Sequence, residues 1–255
     1  ICLKSSMALG EKLFCRNILI SNCSVSSSCN CIKIGTETHG DFQDIAISNC
    51  VFPRRAFQRQ AQSAIAIEST DGSNIQAITI TNCISRFHKC LIFILLGNRL
   101  RAASIGQSEP GSITDINISN IIGINTIWPI IISGLLEKRI ENIHISNLRL
   151  LFRSDQSKYL LWKDLEQSIK NENLDSKYPD PEMFRGFPAK ILFMKNCSNV
   201  VIIDFSCQIE DIDEVLFIGL YYCESVQLSG KIASLKVPTL PSKMGEIGEN
   251  RKCFE

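Results

Sequence analysis

The chain has 255 residues, enough to bury a core in one domain, and 45% of them are hydrophobic against 21% charged, which excludes an intrinsically disordered chain. Lys plus Arg number 27 and Asp plus Glu 26, so the formal charge is +1 and the basic excess of a nucleic-acid binder is missing. No apolar run reaches the roughly 18 residues of a membrane span. The longest candidates, Leu91–Leu96 and Ile127–Ile132, are strand-sized. The chain opens at Ile1 inside an apolar segment, with no signal peptide, and is expected to be a fragment of something longer.

In chain order, one short pattern recurs. It reads Asn17-Ile-Leu-Ile-Ser-Asn22-Cys23, then Asp44-Ile-Ala-Ile-Ser-Asn49-Cys50, then Ala77-Ile-Thr-Ile-Thr-Asn82-Cys83. It continues at Asp115–Asn120 and Asn142–Asn147, with weaker copies at Asn199–Asp204 and Ser225–Gly230. The first apolar residues, Ile18, Ile45, Ile78, Ile116, Ile143, Val200 and Val226, are separated by steps of 27, 33, 38, 27, 57 and 26 residues. A second series lies between them, at Ile1–Leu3, Ile32–Ile34, Ile65–Ile67, Ile92–Ile94 and Ile130–Ile132.

Each copy alternates apolar and polar residues with the period of a half-buried strand. No single copy buries its apolar face alone, but stacked copies do, each inward Ile sitting on the Ile of the next coil. The expectation is all-β, a right-handed parallel β-helix spanning residues 1–230. The Asn after each strand fits a bend at which stacked amides hydrogen-bond along the axis. A leucine-rich solenoid lacks its Leu signature here, and a β-sandwich its short Asn-Gly hairpins.

Cys23, Cys50 and Cys83, three of the 12 cysteines, occupy the same place in three successive coils. They read as a packed row of small apolar side chains, with bridges as the alternative. Cys29, Cys31, His39, His88 and His144 show no metal-ligand spacing, so no metal is expected. The 57-residue step spans an insertion at 151–190. Leu160, Leu161, Leu165 and Ile169 fall at helical spacing within Ser157–Asn171, and Tyr178-Pro-Asp-Pro181 forbids regular structure beyond it. The insertion is either an overhang on the binding face or a surface excursion. Residues 231–255 read as a fraying C-terminal tail.

The wording of the coils carries a resemblance. Ile1–Ser6, Asn30–Phe42, Ile67–Gly72, Phe93–Arg99, Pro110–Ile116, Ile131–Leu135, Ile140–Ile143, Tyr178–Phe184 and Phe187–Ala189 follow one another over about residues 1–205. In that order they resemble glycoside hydrolase family 28, the polygalacturonases and their distant bacterial relatives. The resemblance implies cofactor-free, inverting hydrolysis of pectic polysaccharide by a secreted or periplasmic monomer. Such chemistry needs an acid and a base on opposite sides of the bond, roughly 6.5–9.5 Å apart. The family's aspartates for these roles, in its Asn-Thr-Asp and Asp-Asp motifs, would precede Ile1, so the 255 residues are expected to be inactive alone. The family's Gly-His-Gly falls on Cys29-Asn30-Cys31, and its Arg-Ile-Lys on Ala66-Ile67-Glu68, which replaces two cations by a methyl and an anion. A neutral or differently charged sugar is expected at that subsite.

The expected substrate-binding residues are Lys4, Asn30, Lys33, Glu37, His39, Glu68, Asn98, Arg99 and Tyr178. Lys4, Lys33 and Glu68 belong to outward rows at about 4.8 Å per coil, either lining a sugar groove or forming a cross-coil ion pair on a solvated face. Asn30 is a sugar contact or one more ladder amide, and Glu37 and His39 are turn residues beside it. Asp71-Gly72 reads most simply as a turn. Asn98 and Arg99 touch ligand or make a structural salt bridge, and Tyr178 stacks on a sugar ring or anchors its loop. The alternatives to an enzyme are a non-catalytic carbohydrate-binding β-helix and a structural solenoid of the adhesin or tailspike kind.

Overall fold

The computed structural model describes residues 1–55, 59–99, 109–153, 178–184, 186–209, 217–234 and 253–254. The expected helix at Ser157–Asn171 lies outside the described residues. In chain order the strands are β1 (Cys2–Ser5), β2 (Cys15–Ser21), β3 (Asn30–Thr38), β4 (Phe42–Ser48), β5 (Val51–Phe52) and β6 (Ala61–Ser69). They continue as β7 (Asn74–Arg86), β8 (His88–Leu96), β9 (Ser112–Thr126), β10 (Ile130–Ser133), β11 (Ile140–Phe152) and β12 (Leu192–Lys195). The last four are β13 (Cys197–Ile209), β14 (Ile218–Tyr221), β15 (Glu224–Ser234) and β16 (Cys253–Phe254).

The chain alternates between two parallel sheets, a β-helix-like arrangement. The first sheet has the order β1-β3-β6-β8-β10-β12-β14-β16, and the second β15-β13-β11-β9-β7-β4-β2, with β5 beside β7. Each coil contributes one strand to each sheet, so equivalent residues stack. Ile34, Ile67, Ile94, Ile132, Met194 and Leu220 form one inward column of the first sheet. The column Ile18, Ile45, Ile78, Ile116, Ile143, Val200 and Val226 is its counterpart in the second. Both meet in one apolar core. Ile1, at the edge of the first coil, is 43% exposed.

The second sheet bends at left-handed residues. Asn22, Asn49, Asn82, Asn120, Asn147 and Asp204 all have φ between 48° and 55°. Asn tolerates this region better than other non-glycine residues because its short amide bonds locally. The Asn82 amide donates to Asn49 at 3.2 Å, Asn120 to Asn82 at 3.0 Å and Asn147 to Asn120 at 2.7 Å. The expected amide ladder is therefore present. A second corner, not foreseen, falls within the first few residues of each strand of the second sheet, at Asn17, Asp44, Ala77, Asp115, Asn142, Asn199 and Ser225, again with positive φ.

The thiol row packs as expected. Cys50 and Cys83 are buried, Cys23 is partly buried against the core, and all three thiols are free. Each donates to the carbonyl two residues earlier, at 3.2–3.3 Å. In the next coils Ile121 and Leu148 take the same place. At the far end, β15 continues to Ser234, past the expected boundary at 230, and Cys253–Phe254 pairs with β14 rather than leaving the sheet. No helix among the described residues is long and apolar enough to cross a membrane.

The outward face of the first sheet departs most from expectation. It is not solvated along its length. Ala66, Phe93, Leu95, Ile131, Phe193 and Tyr221 alternate with the core residues and form a second apolar cluster on the opposite face. Residues 178–184 and 186–190, the described end of the insertion, cross this face as a strap. Met183, Phe184 and Phe187 fill it, with Phe184 edge-on to Phe93 and Phe193 at centroid distances of 6.5 and 5.8 Å. Asp180 caps the short 3-10 turn Pro181–Met183 by accepting from the Glu182 amide at 2.9 Å.

Candidate functional site

The strap begins over β3 and β6, at Tyr178 and Asp180. Lys33 on β3 and Glu68 on β6 project there from neighbouring strands. The Lys33 ammonium is 2.9 Å from Glu68 Oε1, and both side chains are buried, Glu68 at 0% exposure. The second Glu68 oxygen is buried with no hydrogen-bond partner. Burial pushes the Glu68 carboxyl up to about 7, against the opposing pull of Lys33. The Tyr178 ring, itself exposed, sits 5.3 Å from the Lys33 ammonium. Asp180 is also raised, chiefly by burial, with Lys33 pulling the other way. Gly35 makes this approach possible: its φ is +114°, and a Cβ there would stand 2.6 Å from the Glu68 carbonyl oxygen.

Beyond the sheet the turns interlock. Arg99 donates through Nε and Nη2 to the Asp71 carboxylate and through Nη2 to the Thr36 carbonyl at 2.8 Å. Thr70 Oγ1 donates to the same carbonyl, and Thr38 Oγ1 accepts from the amides of Thr70 and Asp71. Asp71 is thus more than a turn residue, and Arg99 makes the structural salt bridge of the two roles left open for it. Its Nη1 is buried without a hydrogen-bond partner. Beside it opens a cleft of about 120 Å³, lined among others by Asn98, Arg99, Ser133, Leu136, Met183 and Lys195.

The remaining expected residues are dispersed. Lys4 and Glu37 form an exposed ion pair at 3.6 Å, of the kind that contributes little. His39 is buried, its amide donating to the Ser5 carbonyl at 2.9 Å and its Nδ1 unpaired. Asn30 opens β3, about 20 Å along the strand from Glu37, and pairs in register with Ser63. The structure therefore gathers Lys33, Glu68 and Tyr178, places Asn98 and Arg99 at the adjoining cleft, and leaves Asn30 apart. Ser133, Asp180 and Lys195 escaped sequence reasoning. Of these only Asp180 carried a signal, the Asp-Pro of the strap.

A fully buried carboxyl with a raised pKa holds a proton near neutrality but cannot touch a solute without movement of its cover. As folded, Glu68 acts on Lys33. The accessible chemistry lies in the cleft, where amide, hydroxyl and cationic groups stand against the apolar Leu136 and Met183, a combination suited to the polar edge and apolar face of a sugar. Among the described residues no three His, Cys, Asp or Glu side chains gather to hold a metal. No known family model matches the chain, and no curated protein and no solved structure matches it.

Proposed function

We propose that the coil is right-handed and that the chain is a saccharide-binding β-helix of the polygalacturonase type, directed at pectic polysaccharide outside the cell. Parallel strands joined by crossovers within one sheet are right-handed in about 98% of cases, which supports the hand. The site reading rests on one observation. Residues far apart in the chain, from Thr70 through Asn98, Arg99 and Ser133 to Lys195, line one cleft beside β6, β8, β10 and β12. The 255 residues contain neither an Asn-Thr-Asp nor an Asp-Asp motif, so they bind saccharide without cleaving it.

Calorimetric titration of the chain with galacturonate oligomers and with neutral oligosaccharides tests this, alongside a reducing-sugar assay. Binding of one class, weakened at least about tenfold by Asn98→Ala and with no new reducing ends, is expected. Absence of binding to every saccharide overturns the proposal, and release of reducing ends overturns its non-cleaving part. The sealing of Lys33 and Glu68 and the engagement of Arg99 by Asp71 favour a second reading, a carbohydrate-binding module with no catalytic parent. That reading predicts the same titration whichever residues precede Ile1.

A further inference from the structure

Two thiols near the cleft repeat the stacking of Cys23, Cys50 and Cys83, with a cation beside them. Cys197 and Cys223 each follow a corner residue with positive φ, Asn196 and Tyr222, in successive coils. They sit immediately before the paired residues Ser198 and Glu224 of β13 and β15. In-register neighbours in parallel strands are about 4.8 Å apart, within the roughly 4.4–6.8 Å that a disulfide spans between Cα atoms. The two thiols are close enough to influence each other's ionisation. Each also donates to the carbonyl two residues back, Cys197 to Lys195 at 3.2 Å and Cys223 to Tyr221 at 3.3 Å.

Their surroundings are unequal. Cys197 is fully buried, whereas Cys223 is partly exposed. Arg139, paired with Glu224 at 2.6 Å, lies close enough to favour a thiolate at Cys223. The neighbouring Cys197 thiol lowers Cys223 most, burial opposes it, and backbone hydrogen bonding and last Arg139 lower it further, while burial raises Cys197. Cys50 and Cys83 are also stacked in successive coils and in contact, but both are buried, and burial pushes Cys83 up to about 11. That pair serves as an internal control of like stacking in which neither thiol is accessible.

We propose that Cys223 and Cys197 are a peroxide-sensitive dithiol, Cys223 the attacking thiol and Cys197 the resolving one. The Cys223 thiolate attacks the outer oxygen of a hydroperoxide. The O–O bond breaks, the leaving oxygen takes the electron pair and a proton, and Cys223 becomes a sulfenic acid. The Cys197 sulfur then attacks the Cys223 sulfur, and the S–O bond breaks. The Cys197 proton leaves with the hydroxyl as water. Two thiols and one hydroperoxide thus give one disulfide, one alcohol or water from the peroxide, and one water. The bridge ties the start of β13 to the start of β15, next to Lys195 and Asn196 in the cleft wall.

The test treats the reduced chain with hydrogen peroxide and follows the intact mass. Glu-C digestion, which separates the two cysteines at Glu210 and Glu214, then locates the link by fragmentation. The expected result is loss of two hydrogens and a Cys197–Cys223 linked peptide. In unoxidised protein, alkylation at Cys223 should be at least about tenfold faster than at Cys50 or Cys83. Cys223→Ser abolishes the mass loss, and Cys197→Ser leaves a dimedone-reactive sulfenic acid at residue 223. A link at Cys50–Cys83 instead, a mass loss that survives Cys223→Ser, or no link at all overturns the proposal. The peptide map of the unmutated chain decides the matter even if a variant does not fold.

Discussion

Lys33 and Glu68 form a 2.9 Å ion pair across neighbouring strands of the first sheet, and the pair is sealed from solvent. Its carboxyl is raised to about 7, because burial outweighs the lysine. The folded chain therefore holds the Glu68 proton more tightly than the unfolded chain does. That contribution to stability is complete below about pH 4.5 and is lost as pH rises through about 7. Asp180, raised for the same reason, leans the same way. His88 leans oppositely. It is buried between the Cys31 thiol at 3.1 Å and the Ser85 hydroxyl at 2.7 Å, and burial lowers it to about 4. Its contribution is present above about pH 6.5 and is lost as pH falls through about 4.

Between those limits the slopes of Glu68 and His88 oppose each other, so the unmutated chain should show a shallow stability profile near pH 4.5–6.5. Glu68→Gln unmasks the rising limb, at up to roughly 1.4 kcal/mol per pH unit, and His88→Gln unmasks the falling one. Urea midpoints at three pH values across the window read both slopes. A flat Glu68→Gln profile would sink the assignment of the proton to Glu68.

Removing one partner of the pair differs from removing both. Lys33→Met leaves a buried carboxyl alone, which costs about 3–5 kcal/mol where that carboxyl must ionise and less at acid pH, where it stays protonated. Lys33→Met with Glu68→Leu leaves no charge behind and is expected to recover most of the loss. Denaturation of the single and double variants at pH 8 and pH 5 gives the comparison. Equal losses at both pH values would show that Lys33 acts only by packing.

The strap over the first sheet folds as part of the core. Phe187 is at 0% exposure and Phe184 at 2%, both packed on residues of several coils. Phe187→Ala should cost about 3–5 kcal/mol, in the range of fully buried aromatic truncations. A loss below about 1 kcal/mol would mean that the strap peels off independently of the coils.

The parts of this fold visible in the sequence are those that every coil demands again. Ile pairs at a strand period and an Asn at each bend recur because each coil faces the same packing problem. The second corner was hidden by its occupants. Asn17, Asp44, Asn142 and Asn199 suit a left-handed backbone, but Ala77 and Ser225 do not announce one. The covered outer face left a signal that alternation masked: Leu91–Leu96 is apolar at every position, as a strand buried on both faces must be. What covers it, Phe184 and Phe187, comes far downstream and has no periodicity to link it. At the site, the Lys33–Glu68 pair was one of the two roles left open by the outward rows, although the register sets Lys33 beside Ala66 and the pair is diagonal. The Arg99–Asp71 clamp was not legible, since it depends on how two turns fold back over Thr36.

Ala77 is the weak point of the second corner. It stands in the left-handed region at φ 54°, exposed, between Asp44 and Asp115 in the stack. A residue with a Cβ and no local hydrogen bond pays about 1–2 kcal/mol for that conformation. One coil further on, Asn142 shows the remedy, donating to Asp115 at 3.0 Å. Ala77→Asn should therefore stabilise the chain by about 1 kcal/mol, through an easier backbone and an amide placed between two carboxylates. Asn82→Ala should do the reverse at the other corner, losing the bonds to Asn49 and Asn120 and costing about 1–3 kcal/mol. Chemical denaturation of the two variants checks both signs. An unchanged midpoint for Ala77→Asn would mean that the stacked strands, rather than the corner residue, set the backbone there at no local cost.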